Sequence, residues 1–372
     1  EHNQKIELII TNKKTEIYLK KKNIQNKLFK LNKAFGYFSQ LFEVDCLKDI
    51  LNKIKINHPF YNFIKKNKYD LVIFLGPSQM CKFCKEVSFI SNIWDLDHKK
   101  NSQFPEHNLN NIYEQKEKLL KEIVSRAFKI LVPHESNKSD LINYYKADKN
   151  RVITQNFIPM LPTIYNENKH DVKLYKNLFD NFKLPKDKII IFYPAQFWAH
   201  KNHKYIIDAA EILKKENNEK YLFVFCGGKK ENFKYIKNLI IKKKLDNSIK
   251  IFNYISDDEV ISFYLNSDGV VMPTYCGPTN LPLYESFYFK KIIFYTEELI
   301  PNDRINDHLI KIDISSPPDL CKKLQIYSDT KKIDEMVRDN YDFYKLICNE
   351  NDFKDTYKKL LDDFSYLSSR WK

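Results

Sequence analysis

The chain has 372 residues, 43% of them hydrophobic, with a formal net charge of +14; that length suits two domains, and no run approaches the 18 apolar residues of a membrane-spanning helix. Only five of the 62 basic residues are Arg, the residue that reads phosphates and bases in bidentate fashion, so the charge argues for no nucleic-acid partner and leaves contact with an anionic lipid surface open. Seven scattered Cys, an odd number, argue against a disulfide framework and for a reducing, cytoplasmic compartment.

In chain order, the first candidate strand is Ile6 to Ile10. No export signal precedes it, and no Gly-rich turn follows it as in a doubly wound domain, so the native start is expected upstream of Glu1. Lys13 to Lys33 is basic with interleaved Ile, Leu and Phe. It reads either as a solvated helix face or as an amphipathic helix on anionic lipid. Leu71 to Leu75 and Val87 to Ile93 are apolar strands. Between them Cys81 and Cys84 form a C-x-x-C pair with no second ligand pair nearby, which reads as two ordinary thiols. Trp94-Asp95-Leu96-Asp97-His98 follows at a strand's carboxyl end, and Phe104-Pro105-Glu106 comes shortly after. Ile130 to Val132 closes the first series.

A polar interval, residues 161–185, reads as a linker. The second series is Ile189 to Tyr193, Leu222 to Cys226, Ile249 to Phe252, Val270 to Met272 and Ile292 to Tyr295. These nearly continuous apolar runs suit parallel strands buried on both faces, alternating with helices. The first strand of this series enters Tyr193-Pro194-Ala195-Gln196-Phe197-Trp198-Ala199-His200-Lys201-Asn202-His203, which opens a helix. Ligands bind at such strand ends, and a helix N-terminus with a Lys makes a diphosphate cradle. Ser256 and Glu259 form a capping box, before which Tyr254 and Ile255 can present backbone groups to a base edge. A further strand enters Cys276-Gly277-Pro278-Thr279-Asn280-Leu281-Pro282-Leu283-Tyr284-Glu285, where Asn280 suits an N-cap and Pro282 a first turn. Gly277 permits close backbone approach, and Glu285 can accept from a ribose diol. The last segment is helical and rich in Tyr, Phe and Leu.

The two blocks, Tyr193 to His203 and Gly277 to Glu285, resemble the family-4 (group 1) glycosyltransferases, specifically a bacterial branch active in surface polysaccharide synthesis. The resemblance covers Tyr69 to about Ser328. It implies an α/β fold of the GT-B class, two Rossmann-like domains with parallel sheets facing across a cleft. Residues 1–160 would form the acceptor-side domain, lacking its first strand. Residues 186–345 would bind the nucleotide sugar, and 346–372 would form a helix crossing back. It further implies a retaining hexosyltransferase that needs no metal or other cofactor and moves a hexose from a nucleotide sugar to a saccharide or lipid-linked acceptor, with possible docking at the inner membrane face. Lys201 would contact the diphosphate, Glu285 the ribose, and the backbone of Thr279, Asn280 and Leu281 the phosphates and sugar. Gln196, Asn202, Tyr254, Ile255 and Gly277 complete the expected donor site.

Two departures from the family pattern stand out. Gln196 replaces a common Arg, and Gly277 replaces a Glu eight residues before Glu285. On the acceptor side Trp94 stands where the family often has His, so Asp95 and His98 are the candidates, with His98 suited to proton transfer near neutrality. A sugar-nucleotide epimerase of the same fold and a non-catalytic nucleotide-sugar-binding protein remain alternatives.

Overall fold

A computed structural model of the chain describes residues 6–11, 20, 25–29, 56–167, 171–277, 281–299 and 308–371. Thr279, Asn280 and most of the basic segment 13–33 lie outside the described residues. The chain divides into two compact units, Glu1–Ser91 with Glu122–Phe128, and Asn92–Lys121 with Lys129–Lys372.

In the first unit, β1 (Leu8–Ile10) and β2 (Asn26–Leu28) pair in parallel, as do β3 (Leu71–Phe74) and β4 (Ser88–Asn92). The helix Pro59–Lys66 leads into β3. Pro occupies its first position, and His58 caps it by accepting from the Phe60 N–H at 3.1 Å. It buries Phe60, Tyr61 and Ile64. Cys81 and Cys84 are buried, and burial pushes both thiols up to about 12, as expected of inert thiols.

In the second unit, β5 (Lys129–Val132) and β6 (Val152–Thr154) pair in parallel. A six-stranded sheet then contains β7 (Ile189–Pro194), β8 (Tyr221–Cys226), β9 (Ile249–Phe252), β10 (Gly269–Met272), β11 (Ile292–Thr296) and β12 (Ile310–Ile312). Its order is β12-β11-β10-β7-β8-β9, with every pair parallel. All six residues of β8 are buried, so its unbroken apolar run follows from cover on both faces. The helix His203–Lys215 buries Tyr205, Ile206, Ile207, Ala209, Ala210 and Leu213.

The strand order reverses at β7. From there the chain winds outward through β8 and β9, returns, and winds the other way through β10, β11 and β12. That is the doubly wound pattern, and its reversal point lies between the carboxyl ends of β7 and β10. The interval 161–185 holds two helices, Met160–Glu167 and Val172–Asp180. Leu161, Tyr175 and Phe179 are buried in the core of the six-stranded sheet. Tyr357, in the last helix Glu350–Ser368, shares a hydrogen bond with the Asn92 side chain. No helix among the described residues is long and apolar enough to cross a membrane.

Gly227 sets how closely the loops after β7 and β8 approach. A Cβ on it would lie 2.1 Å from the Ala195 carbonyl oxygen and 2.8 Å from the Gln196 nitrogen. The same two loops are joined by hydrogen bonds from Phe197 N–H to Gly228 O (3.3 Å) and from Asn232 N–H to Phe197 O (3.2 Å). Because the obstacle is backbone, Gly227→Ala is expected to destabilise the fold by about 1–3 kcal/mol, measured as a lower urea midpoint with an unchanged slope.

Candidate functional site

The site forms at the reversal point of the second unit. After β7 the chain makes a short 3-10 turn, Ala199–Lys201, and Asn202 adopts a left-handed backbone (φ 54°) before the helix begins at His203. Asn tolerates that conformation better than most residues. The fully buried Tyr193 donates to the Lys201 carbonyl. After β10, the Tyr275 N–H and the Thr274 hydroxyl both donate to the His200 carbonyl, at 2.9 and 3.2 Å. The two strand-end loops are therefore bonded to each other.

Lys201 reaches across this junction. A Cβ at Gly277 would lie 3.1 Å from its Nζ, and Gly277 has φ +127°. Burial lowers the pKa of its ammonium, while Cys276, Asp97, Asp95 and Glu106 act in the opposite direction. Asp97 is pushed up to about 7, chiefly by burial and then by Asp95, with Lys201 and a hydrogen bond to Cys276 opposing. The Asp97 N–H donates to Asp95 Oδ1 at 3.1 Å. Glu106 accepts from the His200 N–H at 3.0 Å and also pairs with its Nδ1. Burial would raise the Glu106 carboxyl, but these bonds prevail and hold it below the ordinary range.

Of the residues expected from sequence, Lys201, Gly277 and Asp95 come together here. His98 does not join them: it is fully buried, and its Nε2 lies 3.0 Å from Glu117 Oε1. Glu117 also accepts from Lys99 at 2.8 Å and from the Tyr145 hydroxyl. Burial opposes its ionisation, but these bonds outweigh that and hold Glu117 down to about 2. Burial likewise lowers the pKa of His98. His98 thus pairs with Glu117 inside an ion network, while Asp97 interacts with Lys201.

Gln196 is exposed and accepts from Trp198 Nε1 at 2.9 Å. Asn202 is buried at the helix start, with its Nδ2 lacking a hydrogen-bond partner. Tyr254 is 84% exposed at the end of β9, beside the half-buried Ile255, and the capping box of Ser256 and Glu259 is present. Leu281 is half-buried at the start of the helix Leu281–Tyr288. In that helix Glu285 is buried and accepts from the buried Tyr264 hydroxyl at 2.8 Å. Burial pushes its carboxyl up to about 7, against the Tyr264 bond.

Sequence reasoning passed over Asp97, Glu106, His107 and Cys276 as site residues. The nearest signals were positional: Asp97 sits two residues after Asp95, Glu106 follows Pro105, and Cys276 precedes Gly277.

Comparison with known proteins bears on the family and the fold. Residues 175–340 match the sequence model of a family described as glycosyl transferases group 1. No curated protein matches the chain. Among solved structures, the chain is similar to Alr3699/HepE of Anabaena, crystallised with UDP and glucose (TM-score 0.70, 12% identity, 95% of this chain and 90% of that one). It is also similar to a glycosyltransferase of Rickettsia africae (TM-score 0.60, 18% identity, 92% and 89%). A third relative in fold is WaaG, a glycosyltransferase involved in lipopolysaccharide biosynthesis (TM-score 0.58, 13% identity, 77% and 80%). These likenesses establish the GT-B class of fold, built of parallel-sheet Rossmann-like α/β domains. Within that fold, residues 175–340 are similar to the group 1 glycosyl transferases.

The raised Glu285 makes stability depend on pH. Its folded pKa, about 7, exceeds the ordinary 4.5, so the folded state holds more protons between those values and stability falls as pH rises through that window. The difference amounts to about 3 kcal/mol. Glu285→Gln is expected to remove this part of the slope. Urea unfolding of both proteins from pH 4 to 8 checks it, and parallel stability profiles would contradict the assignment.

Proposed function

We propose that the chain transfers a hexose from a nucleotide-diphosphate sugar to a saccharide or lipid-linked acceptor, with retention at the anomeric carbon. The observation that carries this reading is Lys201, held at the reversal point of the strand order beside the start of the helix His203–Lys215. A doubly wound sheet binds nucleotides there, and the helix N-terminus adds aligned N–H groups. The family match over 175–340 and the UDP and glucose bound by Alr3699/HepE support a nucleotide-sugar donor.

In this reading residues 186–345 hold the donor, with Glu285 on its ribose, and residues before 161 present the acceptor. Breaking the bond from anomeric carbon to phosphate oxygen leaves negative charge on the diphosphate, which Lys201 and the helix N–H groups stabilise without a divalent cation. The acceptor oxygen bonds to the anomeric carbon on the face the phosphate leaves. Its proton passes to the departing phosphate oxygen. Asp95 and Asp97 face Lys201 and would orient the acceptor hydroxyl.

We place the enzyme in family 4, in bacterial surface-polysaccharide assembly, at the cytoplasmic face of the membrane. The WaaG likeness and the +14 charge support this finer reading. The test measures nucleotide release from UDP-, GDP-, ADP- and dTDP-sugars with and without acceptor. Release that requires acceptor is expected for one donor, which should also raise the melting temperature selectively. Lys201→Ala should lower kcat/KM by about 10²–10³-fold with the fold intact. Donor turnover without acceptor would assign an epimerase instead, and an unchanged Lys201→Ala enzyme would remove the diphosphate role.

A further inference from the structure

His107, His200 and Cys276 offer three donor atoms that all lie within 4.8 Å of one another. His107 and Cys276 are 6% and 1% exposed. All three residues belong to the second unit. His200 and Cys276 stand on the two loops joined at the reversal point, each one residue from a donor-site residue, Lys201 or Gly277. We propose that these three side chains bind one divalent cation of the zinc class, with a fourth position left open.

The donor set selects the ion. Two imidazoles and a thiolate suit borderline-soft metals such as Zn²⁺, not Mg²⁺ or Ca²⁺. Ligand bonds of about 2.0–2.3 Å in a tetrahedral site put donor atoms roughly 3.5 Å apart, so side-chain movements of about an ångström close this group onto an ion.

The surroundings fit independently. His107 Nε2 is buried without a hydrogen-bond partner, an arrangement that is unfavourable unless something supplies the missing partner. His200 Nδ1 is already paired with Glu106, which also accepts from the His200 N–H. That leaves Nε2 of His200 as its donor to a metal, and a carboxylate on the far nitrogen is the usual support of a metal-bound imidazole. Cys276 shares a hydrogen bond with Asp97. The ammonium of Lys201 opposes a cation here, while Asp95, Asp97 and Glu106 favour one. The His107 and His200 rings lie 6.0 Å apart and nearly parallel, and the Phe104 and His200 rings make a T-shaped contact at 6.2 Å.

Cobalt(II) titration of chelator-stripped full-length protein tests the site. One equivalent of Co²⁺ is expected to give tetrahedral d–d bands and a near-ultraviolet thiolate-to-cobalt charge-transfer band. Cys276→Ser should lose the charge-transfer band. Glu106→Gln should keep it with affinity weakened about 10–100-fold. The double variant Cys81→Ser, Cys84→Ser should match the parent, which separates this site from the other thiols. Circular dichroism confirms that each variant is folded. Absence of the charge-transfer band in the parent protein, or its persistence in Cys276→Ser, would overturn the proposal. The readout uses no donor or acceptor, so it stands or falls apart from the transferase reading.

Discussion

A lysine ammonium drawn away from water must be surrounded by anions, and Lys201 meets this demand with carboxylates from a distant part of the sequence. Asp95, Asp97 and Glu106 lie about a hundred residues earlier, yet each acts on its charge. Burial pulls the ammonium toward its neutral form, and the carboxylates pull it back. The residue as a whole is half-buried. The loops after β7 and β10 owe their alignment to the strand reversal, and the bonds from Tyr275 and Thr274 to the His200 carbonyl hold them together.

The same packing accounts for the unusual glycine. The resemblance to the family places a glutamate where this chain has Gly277. Here Lys201 Nζ occupies the space a Cβ at that position would approach, and the backbone is left-handed as well. A side chain there would meet both backbone strain and a displaced ammonium. Gly277 and the course of Lys201 are therefore one structural choice. Gly227 acts similarly on the other side of β7, where the obstacle is the Ala195 backbone.

The fold was legible because β7, β8, β10 and β11 are apolar along almost their whole lengths, and only strands covered on both faces read that way. β2, β6 and β12 escaped notice because three residues carry no periodicity. The helices within 161–185 were hidden by Pro and polar residues around the buried Tyr175 and Phe179. In the site, Lys201 and Gly277 were readable from their place after strands. His98 was singled out for its chemistry, and its surroundings could not be read from the sequence. Only the fold reveals that it pairs with Glu117, which Lys99 and Tyr145 also bond, whereas Asp97, one residue earlier, interacts with the lysine.

The charge at this junction also bears on Gln196, which stands where the family commonly carries a second cation. In the proposed reaction a diphosphate at Lys201 would meet nearby carboxylates, and each ionised one would oppose it. Asp97, pushed up to about 7 by burial and by Asp95, is substantially protonated near neutrality and so withdraws part of that opposition without any added cation. Glu106 cannot do the same, because its bonds to His200 keep it ionised. An anionic ligand that desolvates the junction further would raise Asp97 again, by burial and by its own charge. Binding and proton uptake at Asp97 are thus linked, and in the proposed reaction the loss of the Arg is offset in part by a carboxyl that can be neutralised.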